Sequence, residues 1–364
     1  MGWLSGWAKR RQIIIDHTKI DEDLIDFPVL LHLSASSGIY GTDITSIFDE
    51  IGSNHKKIAV TTSDGVTQCY VEVEKWDAVN KEAWLWVKVP NISATEDTIL
   101  YIYYDNTQPD NTDYVGDTGE VPAQNVWDEH FVLVTHMRDD PDSSHIRDST
   151  SYGNNGTKKA AGEPAVTTDG QIDDAQDFDG VDDYVNVPHS TSLDITGNIT
   201  IEAWLKHDNT ESEFIVAKRA ASNAYSLYTS ATHAPGFEVF IGGVRRYVDG
   251  STVLSAATWY HVVGTYDGEN LRIYLNGEID GTTPQTGNID STTDPVRIGW
   301  AIADFFGFDG IIDEVRISSI VRSAAWVKAT YETGRDNLLT WGSEETFVTV
   351  PSVTTQDATN IGFD

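Results

Sequence analysis

The sequence is poor in cysteine and in basic residues, and both shortages exclude classes of protein. Its 364 residues include one cysteine, Cys69, which excludes an intrachain disulfide and a cysteine-based zinc site. Lys and Arg total 24 against 57 Asp and Glu, so the formal net charge is -33. Nucleic acids and anionic membrane surfaces are bound through clustered Lys and Arg, so neither is expected as a partner. No apolar run reaches the roughly 18 residues of a membrane helix, and we therefore expect no membrane insertion.

Patterns typical of enzymes are also missing. The 10 histidines are scattered without a His-x-x-x-His spacing, and no glycine pair opens a helix as a phosphate loop would. Hydrolysis of a glycoside needs two carboxylates that face one cleft. Asp313 and Glu314 are adjacent, so in a strand they would point to opposite faces, and Glu202 stands alone on its own segment. We therefore expect no catalytic residues and no enzymatic activity.

The sequence is rich in strand-type periodicity. Apolar and polar residues alternate over 68–76, 83–89 and 271–275, and Asn276-Gly277 supplies the positive backbone angles of a tight hairpin. Only residues 43–51 suggest a helical turn or two. A sheet with one apolar face must pack against another layer, so the pattern predicts an all-β chain built of sandwiches.

Two interpretations stay open for Cys69 and for three tryptophans. Cys69 is either a small core residue on the inner face of its strand, which is the usual role, or a reactive thiol. Trp76, Trp84 and Trp86 either pack in a core or between domains, or form a platform on which sugars stack. Trp84 and Trp86 share a strand face, which favours packing.

Five segments follow one another in the first third of the chain: 7–15, 26–30, 62–65, 84–90 and 100–106. In sequence and order they resemble an uncharacterised β-sandwich domain family that commonly stands upstream of LamG-like jelly rolls in surface and phage-like proteins. That family has no established activity, so the resemblance implies fold and context only. It places a β-sandwich domain of unknown function at residues 1–110.

The second part of the chain contains six ordered motifs: Asp148-Ser-Thr-Ser-Tyr-Gly-Asn-Asn-Gly, Phe178-Asp-Gly-Val-Asp-Asp-Tyr-Val, Ile201-Glu-Ala-Trp-Leu-Lys, Trp259-Tyr-His-Val-Val, Leu271 to Gly277 and Asp309-Gly-Ile-Ile-Asp-Glu-Val-Arg-Ile. Through these motifs it resembles the LamG-like, concanavalin A-like jelly roll. The resemblance predicts two consecutive antiparallel β-sandwiches, the second a concanavalin A-like jelly roll over 126–343. Residues 111–125 are polar and lack apolar periodicity, which indicates a linker. Residues 344–364 are expected to be a linker or the start of a further β domain, since they resemble the opening of a fibronectin-III-like repeat.

Members of this jelly-roll family are mostly glycan- or protein-binding modules, and many carry one structural calcium ion. The resemblance places candidate oxygen ligands at Asp148, Asn154, Asp179 and Asp313. Calcium prefers several such hard oxygen ligands. The alternative is that these side chains cap turns through the backbone, as Asp and Asn readily do.

An aromatic segment, 299–310, holds the candidate ligand-binding residues. Trp300, Phe305 and Phe306 stand in a loop-like setting, where they could stack on a sugar or pack against the core or a partner chain.

The expected function is therefore a non-enzymatic surface protein that displays a lectin-like module. The leading hypothesis is a virion surface or tail protein that attaches to a host glycan or receptor and assembles with other subunits, including copies of itself. Its basis is the domain pair, the acidity, the lack of disulfides and an N-terminus unlike a secretory signal. The rival hypotheses are a secreted or cell-surface carbohydrate-binding adhesion protein of a prokaryote, and a structural spacer with no ligand.

Overall fold

A computed structural model describes residues 2–208, 212–219, 221–301 and 307–347. The first part of the described chain consists mainly of strands: β1 (Lys9–Ile15), β2 (Leu24–Leu33), β3 (Ile58–Thr62), β4 (Gln68–Cys69), β5 (Val71–Asp77), β6 (Glu82–Ile92), β7 (Thr98–Tyr104) and β8 (Val115–Asp117). Between them lie a 3-10 turn and two short helices: His17–Lys19, α1 (Ser46–Ile51) and α2 (Val121–Gln124). Helix α1 falls inside 43–51, as the sequence predicts.

The rest of the described chain is again mostly strands: β9 (Phe131–Thr135), β10 (His145–Ile146), β11 (Gly156–Lys158), β12 (Ala165–Thr167), β13 (Ala175–Asp179), β14 (Val185–Val187), β15 (Ile199–His207), β16 (Phe214–Arg219), β17 (Asn223–Thr229), β18 (Pro235–Ile241), β19 (Val244–Asp249), β20 (Tyr260–Tyr266), β21 (Asn270–Leu275), β22 (Glu278–Pro284), β23 (Val296–Ile298), β24 (Asp309–Ser318) and β25 (Leu339–Thr346). The helical elements here are a 3-10 turn and one helix: Thr191–Leu193 and α3 (Ala324–Gly334). None of the helices in the described part of the chain has the length and apolarity needed to cross a membrane.

The first sandwich packs a sheet of order β25-β1-β7-β3-β4 against a sheet of order β2-β6-β5-β8. Its strands pair antiparallel, except that β5 and β8 run parallel. Alternating inward residues such as Ile13, Phe27, Leu85 and Ile102 are fully buried between the sheets. Cys69 lies in this core, and burial raises the pKa of its thiol to about 12, so the core interpretation is confirmed.

The second sandwich is larger. One sheet has the order β10-β11-β14-β23-β16-β17-β18-β19, and the other has the order β12-β13-β24-β15-β20-β21-β22, with β9 paired to β24. Phe178, Tyr225, Phe237 and Tyr266 are fully buried between them. The predicted class, an all-β chain of antiparallel sandwiches, is confirmed.

The chain returns to the first sandwich after completing the second, which differs from the predicted domain limits of 126–343 and 344–364. Strand β25 pairs antiparallel with β1, and Glu344 to Thr346 lie opposite Lys9 to Arg11. Helix α3 packs on β2: the Trp326 and Phe27 rings lie 4.7 Å apart, and Thr333 Oγ1 accepts a hydrogen bond from the Leu30 N–H at 2.9 Å. Residues 339–346 therefore complete the first sheet.

The predicted linker, 111–125, is also part of the first sandwich. Strand β8 adds to β5, helix α2 packs against the same strand, and Val115 and Ala123 are fully buried. Trp127, just beyond, belongs to the first sandwich's core cluster. The polar composition of 111–125 gives no sign of this packing, because a three-residue strand and a four-residue helix bury only a few apolar side chains.

Candidate functional site

The candidate site is a cleft of about 390 Å³ on the outer face of the second sandwich, where β16, β17, β18 and the edge strand β19 lie side by side. Side chains alternate between the two faces of a strand. On β19 this alternation puts Arg245, Tyr247 and Asp249 on the outer face, while Val248 is buried in the core. The cleft is lined by aromatic, guanidinium and hydroxyl groups: Ser212, Phe214, Arg219, Tyr228, Ser230, Ala231, Arg245, Tyr247 and Asp249.

Aromatic rings and guanidinium groups stack on one another across this cleft. The Arg245 guanidinium lies 4.4 Å from the Tyr247 ring and 5.1 Å from the Tyr228 ring. Arg219 lies 5.0 Å from the ring of Phe214, which belongs to the same strand, β16. Tyr247 is 48% exposed, so much of its side chain is open to a ligand. Phe214 and Tyr228 are buried and form the floor.

Hydrogen bonds fix the polar groups of the cleft. The buried Glu238 carboxylate accepts from Arg219 Nη1 at 3.1 Å and from Ser226 Oγ at 3.1 Å, and it also forms an ion pair with Arg245. Tyr228 Oη donates to Asp249 at 2.6 Å. Burial raises the pKa of Tyr228, so its hydroxyl stays protonated. The cleft thus offers a ring surface beside preorganised donors and acceptors, the combination that a polyhydroxylated ligand requires.

The part of the predicted aromatic segment that the structure describes meets the cleft floor at Ala301. Trp300 is half-buried, and a side chain at Gly307 would come within 2.6 Å of its ring, so the glycine permits close packing there. Ala301 packs in one cluster with Phe214 and Tyr228. Phe305 and Phe306 lie outside the described residues.

The structure brings together two of the four predicted calcium ligands. Asp148 and Asn154 share one buried loop, where the Asn154 N–H donates to Asp148 Oδ2 at 2.7 Å. Asp148 also accepts from the Val134 N–H and from the Thr150 N–H and hydroxyl, at 2.8–3.0 Å. The Asn154 amide donates to the Val132 carbonyl and to Ser192 Oγ. These hydrogen bonds correspond to the alternative interpretation, in which the side chains cap turns instead of binding calcium.

The other two predicted ligands lie in separate places. Asp179 is exposed and groups with Asp182 and Asp183, with its Oδ1 capping the turn at the Val181 N–H. Asp313 is fully buried and accepts from the Ile172 N–H at 2.8 Å. In the described ranges, Asp148, Asp179 and Asp313 form no common group of carboxylates within 4.8 Å. The four residues therefore do not form one site, and structural calcium stays a prediction of the sequence.

A second cleft, of about 490 Å³, lies where the sandwiches meet, and it contains Trp84. The Trp84 ring is already occupied, because His32 stacks on it at 5.0 Å and Lys75 lies 5.6 Å from its centroid. Trp86 is fully buried, and the Trp76 indole packs on Phe48 and donates to the Gly52 carbonyl at 2.8 Å. These contacts support the packing interpretation of the three tryptophans, and they favour the outer-face cleft as the candidate site.

Sequence reasoning did not single out Arg245, Tyr247 or Tyr228. The signal that could have found the first two is the alternation of 244–249, where the polar and aromatic positions share one face of an edge strand. Tyr228 comes from a different strand, and only the sheet order brings it beside them.

Two family models match the chain. The model of the concanavalin A-like lectin/glucanases superfamily (Laminin_G_3) matches residues 179–328, and a domain of unknown function (DUF2341) matches residues 54–131. The predicted pair, a domain of unknown function followed by a LamG-like jelly roll, is confirmed. No curated protein matches the chain.

Three solved structures that align with parts of the chain have TM-scores below 0.5 and share little sequence with it. The binding domain of Paraclostridial Mosquitocidal Protein 1 aligns with a TM-score of 0.46 at 13% identity, over 56% of this chain and 52% of that one. Domain 4 of AbnA, an extracellular arabinanase from Geobacillus stearothermophilus, was solved in complex with arabinotriose. It aligns with a TM-score of 0.44 at 18% identity, over 54% of this chain and 96% of that one. The binding domain of botulinum neurotoxin serotype G aligns with a TM-score of 0.44 at 14% identity, over 55% of this chain and 50% of that one. The chain spans about half the length of the two toxin binding domains.

Proposed function

We propose that this chain, a DUF2341 domain followed by a concanavalin A-like domain, is a glycan-binding protein without catalytic activity. The glycan is bound in the outer-face cleft of the second sandwich. The first sandwich, which contains the DUF2341 match, packs against that module and supports it.

The observation that carries the proposal is the half-exposed Tyr247 ring beside Arg245, above a hydrogen-bonded floor of Tyr228 and Asp249. A sugar ring presents C–H groups to an aromatic face and hydroxyls to its rim, so it needs this pairing of surfaces. Arginine donates through a planar fork and holds its charge, so it can bind neighbouring hydroxyls or a carboxylate of an acidic sugar.

The proposal of binding without turnover rests on the positions of the carboxylates. Glu202, Asp313 and Glu314, the residues considered above for hydrolysis, are all buried. Glu238 is buried behind the lining of the cleft and is held by Arg219, Ser226 and Arg245. In the cleft itself, Asp249 accepts from Tyr228. An acid and base pair for glycoside hydrolysis must both face the scissile bond, with a proton available to one of them.

We further propose that the module is displayed in many copies on a virion surface or another extracellular surface, as a homo-oligomer or beside other subunits, where it attaches to a host glycan or receptor. Repeated display would multiply a weak site through avidity. The net charge of -33 and the single buried cysteine support a role on such a surface, where solubility matters and thiol chemistry does not. Mass spectrometry of purified particles from the source would test the location.

The binding proposal is tested by a glycan array probed with the labelled full chain, followed by incubation of the bound glycans with the chain and measurement of new reducing ends. We expect selective binding and no release above buffer. Arrays without binding at high protein concentration would contradict the glycan proposal. Release of reducing ends that is lost in Glu238→Gln would contradict the proposal that the chain is not an enzyme.

A further inference from the structure

A buried polar cluster joins the two sandwiches. Glu74 lies on β5 of the first sandwich, Glu314 lies on β24 of the second, and His136 follows β9. All three are almost fully buried, at 3%, 1% and 1% exposure. One ligand-type atom from each, two carboxylate oxygens and an imidazole nitrogen, lies within 4.8 Å of the others.

His136 faces carboxylates through both ring nitrogens. Nδ1 lies 2.6 Å from Glu314 Oε1 and 3.3 Å from Glu74 Oε2, and Nε2 lies 3.4 Å from Glu72 Oε1. A single N–H at Nδ1 can point at only one of its two carboxylates. A cation at the same place could contact both oxygens and the nitrogen at once.

One carboxylate oxygen of the cluster lacks a partner. Glu74 Oε1 is buried and accepts no hydrogen bond, and the contact of His136 Nε2 with Glu72 is too long, at 3.4 Å, for a good hydrogen bond. Leaving such an oxygen unpaired in a dry interior is costly. Because the other oxygen of this carboxyl group lies 3.3 Å from His136 Nδ1, the unpartnered Oε1 indicates a missing ligand at the cluster.

The surroundings of the three groups resemble a second coordination shell. Trp86 Nε1 donates to Glu74 at 2.7 Å, and Arg316 forms an ion pair with Glu314. Glu72, which faces His136 Nε2, is itself fixed by Trp127 Nε1 at 2.6 Å and by Ser149 Oγ at 2.7 Å. A carboxylate behind a ligating imidazole sets the tautomer and orients the ring.

We propose that Glu74, His136 and Glu314 bind a divalent transition-metal ion, of the zinc type, that ties the two sandwiches together. One imidazole and two carboxylates are a donor set for such ions, whereas calcium takes oxygen ligands. None of these three ligands is one of the predicted calcium ligands. It draws one ligand from each of three segments, so binding stabilises the domain junction rather than either sandwich alone.

The test uses the full chain, unfolded in guanidinium with a chelator and refolded with or without Zn²⁺, because a fully buried site fills during folding. We expect about one bound zinc per chain after removal of free metal, and a higher melting temperature than the metal-free protein. Refolding with Co²⁺ should give visible absorption bands of a bound ion and should quench the fluorescence of Trp86 and Trp127, whose rings lie 6.0 Å from His136.

Glu74→Gln and Glu314→Gln should each lose the bound zinc and its thermal effect. The matched control is His17→Gln, which alters an exposed group of similar composition, Asp16, His17 and Asp97, and it should keep both. Wild-type chain that refolds without retaining zinc or cobalt would overturn the proposal, whether or not the variants fold. Zinc retained at the wild-type ratio in Glu74→Gln and Glu314→Gln would also overturn it.

Discussion

At the scale of single residues, Asp148 shows how a polar side chain can organise a loop. Its carboxylate accepts four hydrogen bonds from Val134, Thr150 and Asn154, all inside the protein. These contacts join β9 to the loop that the sequence motif 148–156 forms. The carboxylate is therefore needed whether or not calcium is bound.

Asp148→Ala should lower the free energy of unfolding by at least about 2 kcal/mol, because several buried donors lose their acceptor. Denaturant unfolding in calcium and in chelator should show the loss equally. The control is Asp179→Ala, which removes an exposed cap, and we expect a loss of under about 1 kcal/mol. A loss for Asp148→Ala that appears only in calcium would mean that metal ligation, and not loop capping, is its role.

His32 is the residue for which we expect a clear pH effect. Burial opposes its charge, but hydrogen bonds to Asp336 and Glu82 outweigh that and raise its pKa. A histidine whose pKa is higher in the folded state contributes stability below its unfolded pKa of about 6.5, and this contribution is lost as the pH rises through the folded value. As the pH rises from 6 to 8, the melting temperature of His32→Gln should therefore fall less than that of the wild type. Parallel melting curves for the two proteins across that range would contradict this assignment.

At the scale of elements, β25 shows what a sequence pattern can miss. Its sequence, Leu-Thr-Trp-Gly-Ser-Glu-Glu-Thr, has apolar residues only at its start, and its last residues are polar and exposed or half-buried. The sequence predicts a linker or a further domain only from residue 344 and places 339–343 in the jelly roll. It misses the pairing with β1, because pairing with a distant strand is set by the whole fold and leaves no local signal. Buried Leu339 and Trp341 nevertheless place it in the first core.

Leu339→Ala should destabilise the chain by about 2–5 kcal/mol, because it leaves a cavity in that core. Its neighbour Thr340 is only half-buried, and Thr340→Ala should cost under about 1 kcal/mol. Chemical denaturation of both variants measures the difference. Equal, small effects would show that β25 does not pack on the first sandwich in solution.

The sequence predicts the fold better than the site, for physical reasons. Strand alternation and turn residues are local, so the all-β class, α1 and the inward position of Cys69 follow from them. The division into two sandwiches follows from the family resemblance. The cleft depends on which strands become neighbours, so Tyr228 and Tyr247 could not be linked beforehand. Asp313 and Glu314 could not be recognised as buried junction residues, because that burial comes from the first sandwich packing over β24.

At the scale of the whole molecule, the two sandwiches form one interlocked body. The first sandwich takes β25 and the packing surface of α3 from beyond the second, so no cut between residues 110 and 126 frees a complete first domain. Residues 111–125 pack on β5 and are protected by that contact.

A fragment of residues 1–110 should therefore fail to unfold cooperatively, whereas the full chain should do so. Circular dichroism with calorimetry on both proteins measures this. The full chain should also resist limited proteolysis within 111–125, as mapped by mass spectrometry. A cooperative 1–110 fragment, together with a first cut in 111–125, would show that the domains are independent.

The central claim, that the outer-face cleft binds glycans through Tyr247, is tested most directly by calorimetric titration of the array's best glycan into Tyr247→Ala. The control is Tyr152→Ala, since Tyr152 is 46% exposed against 48% for Tyr247 and lies outside the cleft. We expect Tyr247→Ala to weaken binding by about tenfold, close to 1.4 kcal/mol, and Tyr152→Ala to bind like wild type. Unchanged affinity in a folded Tyr247→Ala, or equal losses in both variants, would contradict the claim.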